Sequence, residues 1–332
     1  MVGQKPTFFL FIQPTINKKF TLISIAIFLR NNKQLRNIKK NMAINLSGLE
    51  TYVDEQRLPL IKKAVLGGKT IGLINLQSGV KKSAALNLIS VDPTIQAGAC
   101  GFNAQGDAAL SQRVIETELL KVNMEYCDKD LLAYWAGYEV KVGAGKETMP
   151  FEEYFTSMVI EGINAKIEKM VWTGEASKDG EFDGFLTILA DEAVKTANGT
   201  GAYAAIKAAY SAIPVEVLPK AAIFVGADTF RAFMLEMVEK NYFHYAADGA
   251  DVQEFVLPGT NTKVIAVNGL NGTNKVVAAD PANLFYGCDM MDDAETFDFF
   301  YSKDNRSYRL VVYFNGGVQV AYPNEIVVAT IA

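Results

Sequence analysis

From Phe151 to Trp172, apolar residues recur at steps of three and four: Phe151, Tyr154, Phe155, Met158, Val159, Ile163, Ile167, Met170 and Val171. That spacing draws one stripe along an α-helix. Glu152, Glu153, Asn164, Lys166, Glu168 and Lys169 fill its other sides. Pro150 suits the first turn, where its missing N–H has no partner to lose. The two glutamates behind it suit the positive end of the helix dipole, and Lys166 and Lys169 the negative end. At 1.5 Å per residue the helix is roughly 33 Å long, the span of a small domain. Trp172-Thr173-Gly174-Glu175 ends it, and a polar, glycine-bearing loop leads to Phe182-Asp183-Gly184-Phe185-Leu186. Periodicity alone describes a core helix of a globular protein.

Before this helix, Ser47 and Glu50 form a capping box, each side chain able to satisfy a backbone N–H at a helix start. The helix is expected to run to about Val65, disturbed by Pro59 and stopped by Gly67-Gly68. Thr70–Leu76 and Val80–Val91 read as extended, and Leu110–Met124 as strand over part of its length. A glycine- and alanine-rich tip, Gly98–Gly106, separates the last two. The pattern is a projecting hairpin, which has too little core to be stable alone and must lie on something. Asp128–Gly137 reads as a short helix.

After the long helix the texture becomes α/β. Tyr203–Ile213 is an alanine-rich helix and Ala221–Val225 a short buried strand. Asp228 is placed to cap a helix to about Lys240, with Phe230, Phe233, Met234, Met237 and Val238 inward. Lys263–Val267 and Lys275–Ala279 read as strands joined across Asn268–Asn274, a turn with two glycines. Asp280-Pro281 opens a short turn or helix. Glu295–Tyr301, Ser307–Phe314 and Val318–Ile331 alternate as antiparallel strands, with Asn315-Gly316-Gly317 as a tight turn.

This order of parts, a hairpin-like arm, a long helix with a Trp-Thr-Gly-Glu…Gly-Phe-Leu exit, an α/β segment and a β-rich end, resembles the major capsid proteins of tailed double-stranded DNA phages. The resemblance is one of architecture and covers about Asn45 to Ile331. It implies an α+β chain of the Hong Kong 97 phage-type fold, in which the long helix is the spine. The implied parts are an N-terminal arm (42–80), an extended hairpin loop reaching over a neighbour (81–127), a peripheral domain (128–186 and 283–332) and an axial domain (187–282). It implies a structural role, with pentamers and hexamers closing into an icosahedral shell around DNA in the bacterial cytoplasm. The implied partners are further copies of itself and scaffolding, portal and decoration proteins, with no membrane. Two alternatives stand beside it: an encapsulin-type nanocompartment, and a soluble α/β enzyme with an unrecognised site.

Charge bears on the DNA. The formal net charge is −5, yet the eight ionisable residues before Met42 (Lys5, Lys18, Lys19, Arg30, Lys33, Arg36, Lys39, Lys40) are all basic. Removing that +8 from −5 leaves −13 for Met42 onward. A body this acidic does not grip nucleic acid by phosphate neutralisation, although it can enclose it. Residues 1–41 are also distinctive in their apolar runs Phe8–Ile12 and Phe20–Leu29, too short to span a bilayer. They read either as a basic arm, removable or scaffold-contacting, or, the favoured reading, as upstream sequence translated from an early start, with the natural protein beginning at Met42.

Residues for chemistry are sparse. The single His244 sits between Phe243 and Tyr245 without triad or metal partners. Asp289, Asp292 and Asp293 lack a calcium-loop pattern and read as a solvated turn. Gly143-Ala144-Gly145-Lys146 lacks the first glycine of a phosphate loop and has Glu147 where Ser or Thr would bind magnesium. Glu152 and Glu153 are explained by the helix dipole. Cys100, Cys127 and Cys288 have no metal-type spacing and fit a reducing compartment. The reading therefore assigns no catalytic, cofactor-binding or metal-ligating residue, and no enzyme activity. Some members of the resembled family cross-link subunits through a hairpin lysine. Here no lysine lies between Lys81-Lys82 and Lys121, and the guanidinium of Arg113 stays protonated, so a non-covalent shell is expected.

Overall fold

In the computed structural model, the described residues are 47–96, 98, 100, 106–127, 129–130, 151–240, 253–289 and 296–332. Two helices open this part, α1 (Ser47–Glu55) and α2 (Arg57–Leu66). They break at Gln56, not at Pro59 as the sequence suggested. Pro59 is the third residue of α2, a first-turn position where its lost N–H costs nothing. The capping box falls on side chains outside the described set.

Residues 69–73 form turns rather than the extended segment expected, and β1 is only Asn75–Ser78. The backbone N–H of Thr70 is taken by a carboxylate, so it cannot join a strand ladder. Strands β2 (Ser83–Pro93) and β3 (Gly106–Glu116) pair only with each other, from Ser83 opposite Glu116 to Pro93 opposite Gly106. After Thr117 the chain enters β4 (Glu118–Cys127), which leaves the hairpin and pairs with a strand near the C-terminus. The expected Asp128–Gly137 helix lies outside the described residues apart from Lys129 and Asp130.

The long helix, α3, runs Phe151–Thr173 as its periodicity predicts. A short α4 (Phe185–Ala190) follows, then β5 (Lys195–Gly199), α5 (Ala202–Ala212), β6 (Ala222–Gly226) and α6 (Ala227–Glu239). Next come β7 (Glu254–Val256), β8 (Lys263–Val267), β9 (Lys275–Ala279), β10 (Leu284–Cys288), β11 (Thr296–Ser302), β12 (Ser307–Val320) and β13 (Val327–Ile331).

Two sheets result. The first runs β1-β10-β12-β11, with β4 also on β12. Its organiser is the 14-residue β12, which passes straight through Asn315-Gly316-Gly317 where a turn was expected. Tertiary packing overrides the local turn signal there. Gly316 still pairs with Glu118 of β4, while Gly317 pairs with Gly287 of β10. A Cβ on Gly317 would lie 2.0 Å from the Glu116 carbonyl oxygen, so the glycine permits a close crossing rather than a reversal.

The second sheet runs β5-β13-β9-β6-β8-β7. Strands β8 and β9 are not a hairpin, because β6 lies between them, parallel to β8 and antiparallel to β9. Residues 327–331 belong here too, instead of continuing the first sheet. Helices α5 and α6 cover one face through Ala205, Ile206, Ala209, Phe230 and Phe233, over Ile223, Val264, Val276 and Val327. Phe224 on the other face meets Trp172 of α3 at 5.3 Å between ring centroids. Burial on both faces explains why β6 is apolar throughout rather than alternating.

Asp228 does not cap α6 as expected. The cap position is Gly226, and the Asn271 side chain accepts from Ala227 N (2.6 Å), while Asp228 accepts from Gly272 N (2.8 Å). Val238, expected inside, is 59% exposed. Asp280 does cap the 3-10 turn Pro281–Asn283.

Candidate functional site

Three places on this scaffold can do more than hold it together. The first is the hairpin. Its base is anchored by Val80, Leu86 and Ile115, with Ala84 and Phe285 packed against them. Arg113 pairs with Glu192, and the Gln319 side chain donates to the Val114 carbonyl at 2.8 Å. Beyond the base, Ile89 (61% exposed) stands directly opposite Leu110 (78% exposed), so one apolar row faces outward. Val114 is also exposed, and Ile95 is exposed near the tip. A two-stranded ribbon carrying apolar side chains and two open edges is marginal by itself.

The second is a groove of about 650 Å³ between α3 and the first sheet. Tyr154, Phe155, Met158, Met124 and Phe314 are among its walls. Phe155 packs edge-on against Tyr126 (5.1 Å) and Phe299 (5.9 Å), so the N-terminal half of α3 lies on this sheet. Tyr154 and Met158, assigned to the buried stripe by spacing, are exposed at the groove.

In their place, Thr156, Ile160 and Glu168 are buried on the side of α3 facing α2 and the 67–74 loop. The helix is covered from two directions, which a one-stripe reading cannot register. Glu168, placed by the sequence on a side of the helix away from the apolar stripe, forms the third place. The residue is 5% exposed, and its carboxylate accepts from Thr70 N at 3.2 Å on both oxygens and from the Thr70 hydroxyl. Thr70 Oγ1 in turn accepts from Trp172 Nε1 at 2.8 Å. Burial pushes the Glu168 carboxyl above the usual range, against the opposing pull of the Thr70 donors and of Lys69. A Cβ on Gly269 would meet the Glu168 carbonyl oxygen at 2.2 Å and Trp172 Cδ1 at 2.4 Å, so the 268–270 turn rests directly on this point. No sequence signal marks it, since Thr70 and Glu168 are 98 residues apart.

The residues weighed for chemistry are dispersed. Cys100 and Cys127 are exposed and Cys288 is buried. Asp289 is buried, with Oδ1 lacking a hydrogen-bond partner, while Asp292, Asp293, His244 and Gly143–Lys146 lie outside the described residues. Glu153 is exposed in the first turn of α3. Lys81 and Lys82 are exposed at the hairpin base and Lys121 is exposed on β4. Among the described residues no group of three or more His, Cys, Asp and Glu is arranged to hold a metal, and no helix is long and apolar enough to cross a membrane.

No protein-family model matches this chain, and no curated protein matches it by sequence. Solved structures do match. The satellite phage P4 procapsid with its size determination protein aligns at TM-score 0.58 and 12% identity, over 82% of this chain and 89% of that one. The capsid of an empty GTA particle aligns at 0.54 and 13% identity, over 81% and 90%. Gordonia phage Cozz aligns at 0.51 and 12%, over 79% and 86%. At such identities the likeness is one of fold: the chain has the α+β, Hong Kong 97-type capsid fold.

Proposed function

We propose that this chain, which has the fold of phage capsid shells, is a major capsid subunit that assembles with itself into an icosahedral shell around double-stranded DNA. In this reading 42–80 is the N-terminal arm, 81–127 supplies the extended loop, 128–186 with 283–326 forms the peripheral domain, and 187–282, joined by β13, forms the axial domain. Pentamers and hexamers are the building units, with scaffolding, portal and decoration proteins as partners in the bacterial cytoplasm. The chain acts geometrically and catalyses no reaction.

The observation that carries this reading is the hairpin. Its outward Ile89–Leu110 row has no cover within the described subunit, and burying it on a neighbour removes apolar area from water at about 25 cal/mol per Å². One such contact is weak, but a closed shell repeats it many times. The acidic balance after Met42 suits a wall that encloses DNA without gripping it.

Electron microscopy of the purified protein tests the proposal. Closed shells are expected, and a discrete small oligomer under all conditions overturns it in favour of a soluble enzyme. Shells filled with a protein cargo in place of DNA would instead establish a nanocompartment. Deleting Gly98–Gly106 should leave a folded subunit that no longer assembles.

A further inference from the structure

Glu168 is a buried carboxyl that forms no ion pair among the described residues. Among the described residues, Lys69 of the 67–74 loop bonds Gln253 Oε1 at 3.1 Å and acts on the carboxyl only through its field, and Lys166 and Lys169 on α3 itself are exposed. Lys63 near the end of α2 lines a separate cleft between α2 and α3, beside Asn164. The 268–271 turn contributes Asn268, Gly269, Leu270 and Asn271, none ionisable, and the neighbouring Asp228 carboxylate is held by Gly272 N and Thr229 N. The groups touching Glu168 are therefore neutral donors, all from Thr70.

The Thr70 hydroxyl closes this relay in either protonation state. One lone pair takes the indole N–H of Trp172. The hydroxyl then either donates its own proton to a carboxylate or accepts one from a carboxylic acid on its second lone pair. The Thr70 donors and the field of Lys69 favour the ionised form, but the cost of keeping a charge out of water falls on that form too and outweighs them.

We propose that Glu168 is a proton-linked latch: seating the 67–74 loop on α3 takes the carboxyl out of water and tightens its hold on a proton, and lifting the loop hydrates the carboxyl and loosens that hold. The loop joins the helices α1 and α2 to β1, so the latch governs how firmly the N-terminal arm is held to the spine. The sign follows from linkage. A group that holds its proton more tightly when seated favours opening as pH rises through its seated pKa. Burial raises the Glu168 pKa, so the loop is more firmly seated on the acid side of the seated pKa than above it. This holds for a single subunit and does not depend on the capsid reading.

Hydrogen exchange on the full unassembled chain, followed by mass spectrometry, reads the opening directly because the Thr70 amide is itself a latch donor. Rates are divided by the unstructured rate at each pH, between about pH 5 and about pH 8. The opening constant of peptides spanning 67–74 is expected to rise with pH, by about tenfold for each unit by which the carboxyl is displaced. In Glu168→Gln it should be independent of pH. Equal slopes in both proteins, or opening that falls as pH rises, overturn the proposal. A second readout keeps Glu168 intact: Trp135→Phe leaves Trp172 as the only indole. Its emission should titrate with the same midpoint, and a flat emission profile overturns the latch even if the glutamine variant does not fold.

Discussion

Replacing Gly184 with alanine should destabilise the subunit, whereas the same change at Gly162 should stabilise it. Gly184 has φ −79° and ψ 170°, a conformation open to any residue, so backbone freedom is not what requires glycine there. Space is. A Cβ would lie 2.6 Å from the Met170 carbonyl oxygen, 2.7 Å from Gly174 N and 2.7 Å from the Trp172 carbonyl carbon. All three are backbone atoms of the last turn of α3 and its exit, which cannot swing away like a side chain. Relieving the clash moves Gly184 off the helix end and stretches its 2.9 Å hydrogen bond to the Gly174 carbonyl. Over-packing costs about 1–3 kcal/mol and the lost hydrogen bond about 1 kcal/mol. The sum is about 2–4 kcal/mol, a fall of roughly 3–6 °C in Tm for a chain of this size. At Gly162, within α3, an added Cβ meets nothing within 4 Å, so alanine gains about 1 kcal/mol of helix propensity. Thermal unfolding of unassembled subunits, at one protein concentration, decides the matter. A Gly184→Ala protein within about 0.5 kcal/mol of wild type refutes the packing argument, since that is the scatter expected of uneventful surface changes.

Three further outcomes follow from particular residues. Glu168→Ala should lower stability by about 1–3 kcal/mol because the Thr70 donors are left buried and unpaired, whereas Glu168→Gln keeps an acceptor. Denaturant titrations across pH should show wild-type stability falling as pH rises through the raised Glu168 value, since the native state binds that proton more tightly than the unfolded chain, and the glutamine variant should lack this component. Changing Ile89 and Leu110 together to glutamate should leave unfolding of the free subunit within about 0.5 kcal/mol, because both are exposed, yet abolish shells in the microscope. Boiled, reduced particles should run on a denaturing gel as one band near the monomer mass, since no lysine lies between Lys82 and Lys121; a ladder of multimers contradicts this.

What the sequence determined by itself is what local periodicity can carry. The bounds of α3, the alanine-rich α5, the buried β6, the hairpin and the Asp280 cap all follow from residues within a turn or two of one another. Their order along the chain was enough to recognise the capsid architecture, even where identity to the matching structures is only 12–13%. Tertiary structure decided which surface each element meets. Asn315-Gly316-Gly317 has the composition of a turn, yet becomes mid-strand because Glu116 crosses close over Gly317. Asp228 has the composition of a cap, but Asn271 arrives from another loop to bond the first helical N–H. Strands β8 and β9 are neighbours in sequence and not in space, since β6 is inserted between them. Glu168 illustrates the limit most directly. On a helical wheel it belongs with the lysines in water, and only the second covering of α3 by the 67–74 loop takes it out of solvent. A helix's period fixes the angles of its side chains, whereas burial depends on what distant segments bring to each angle.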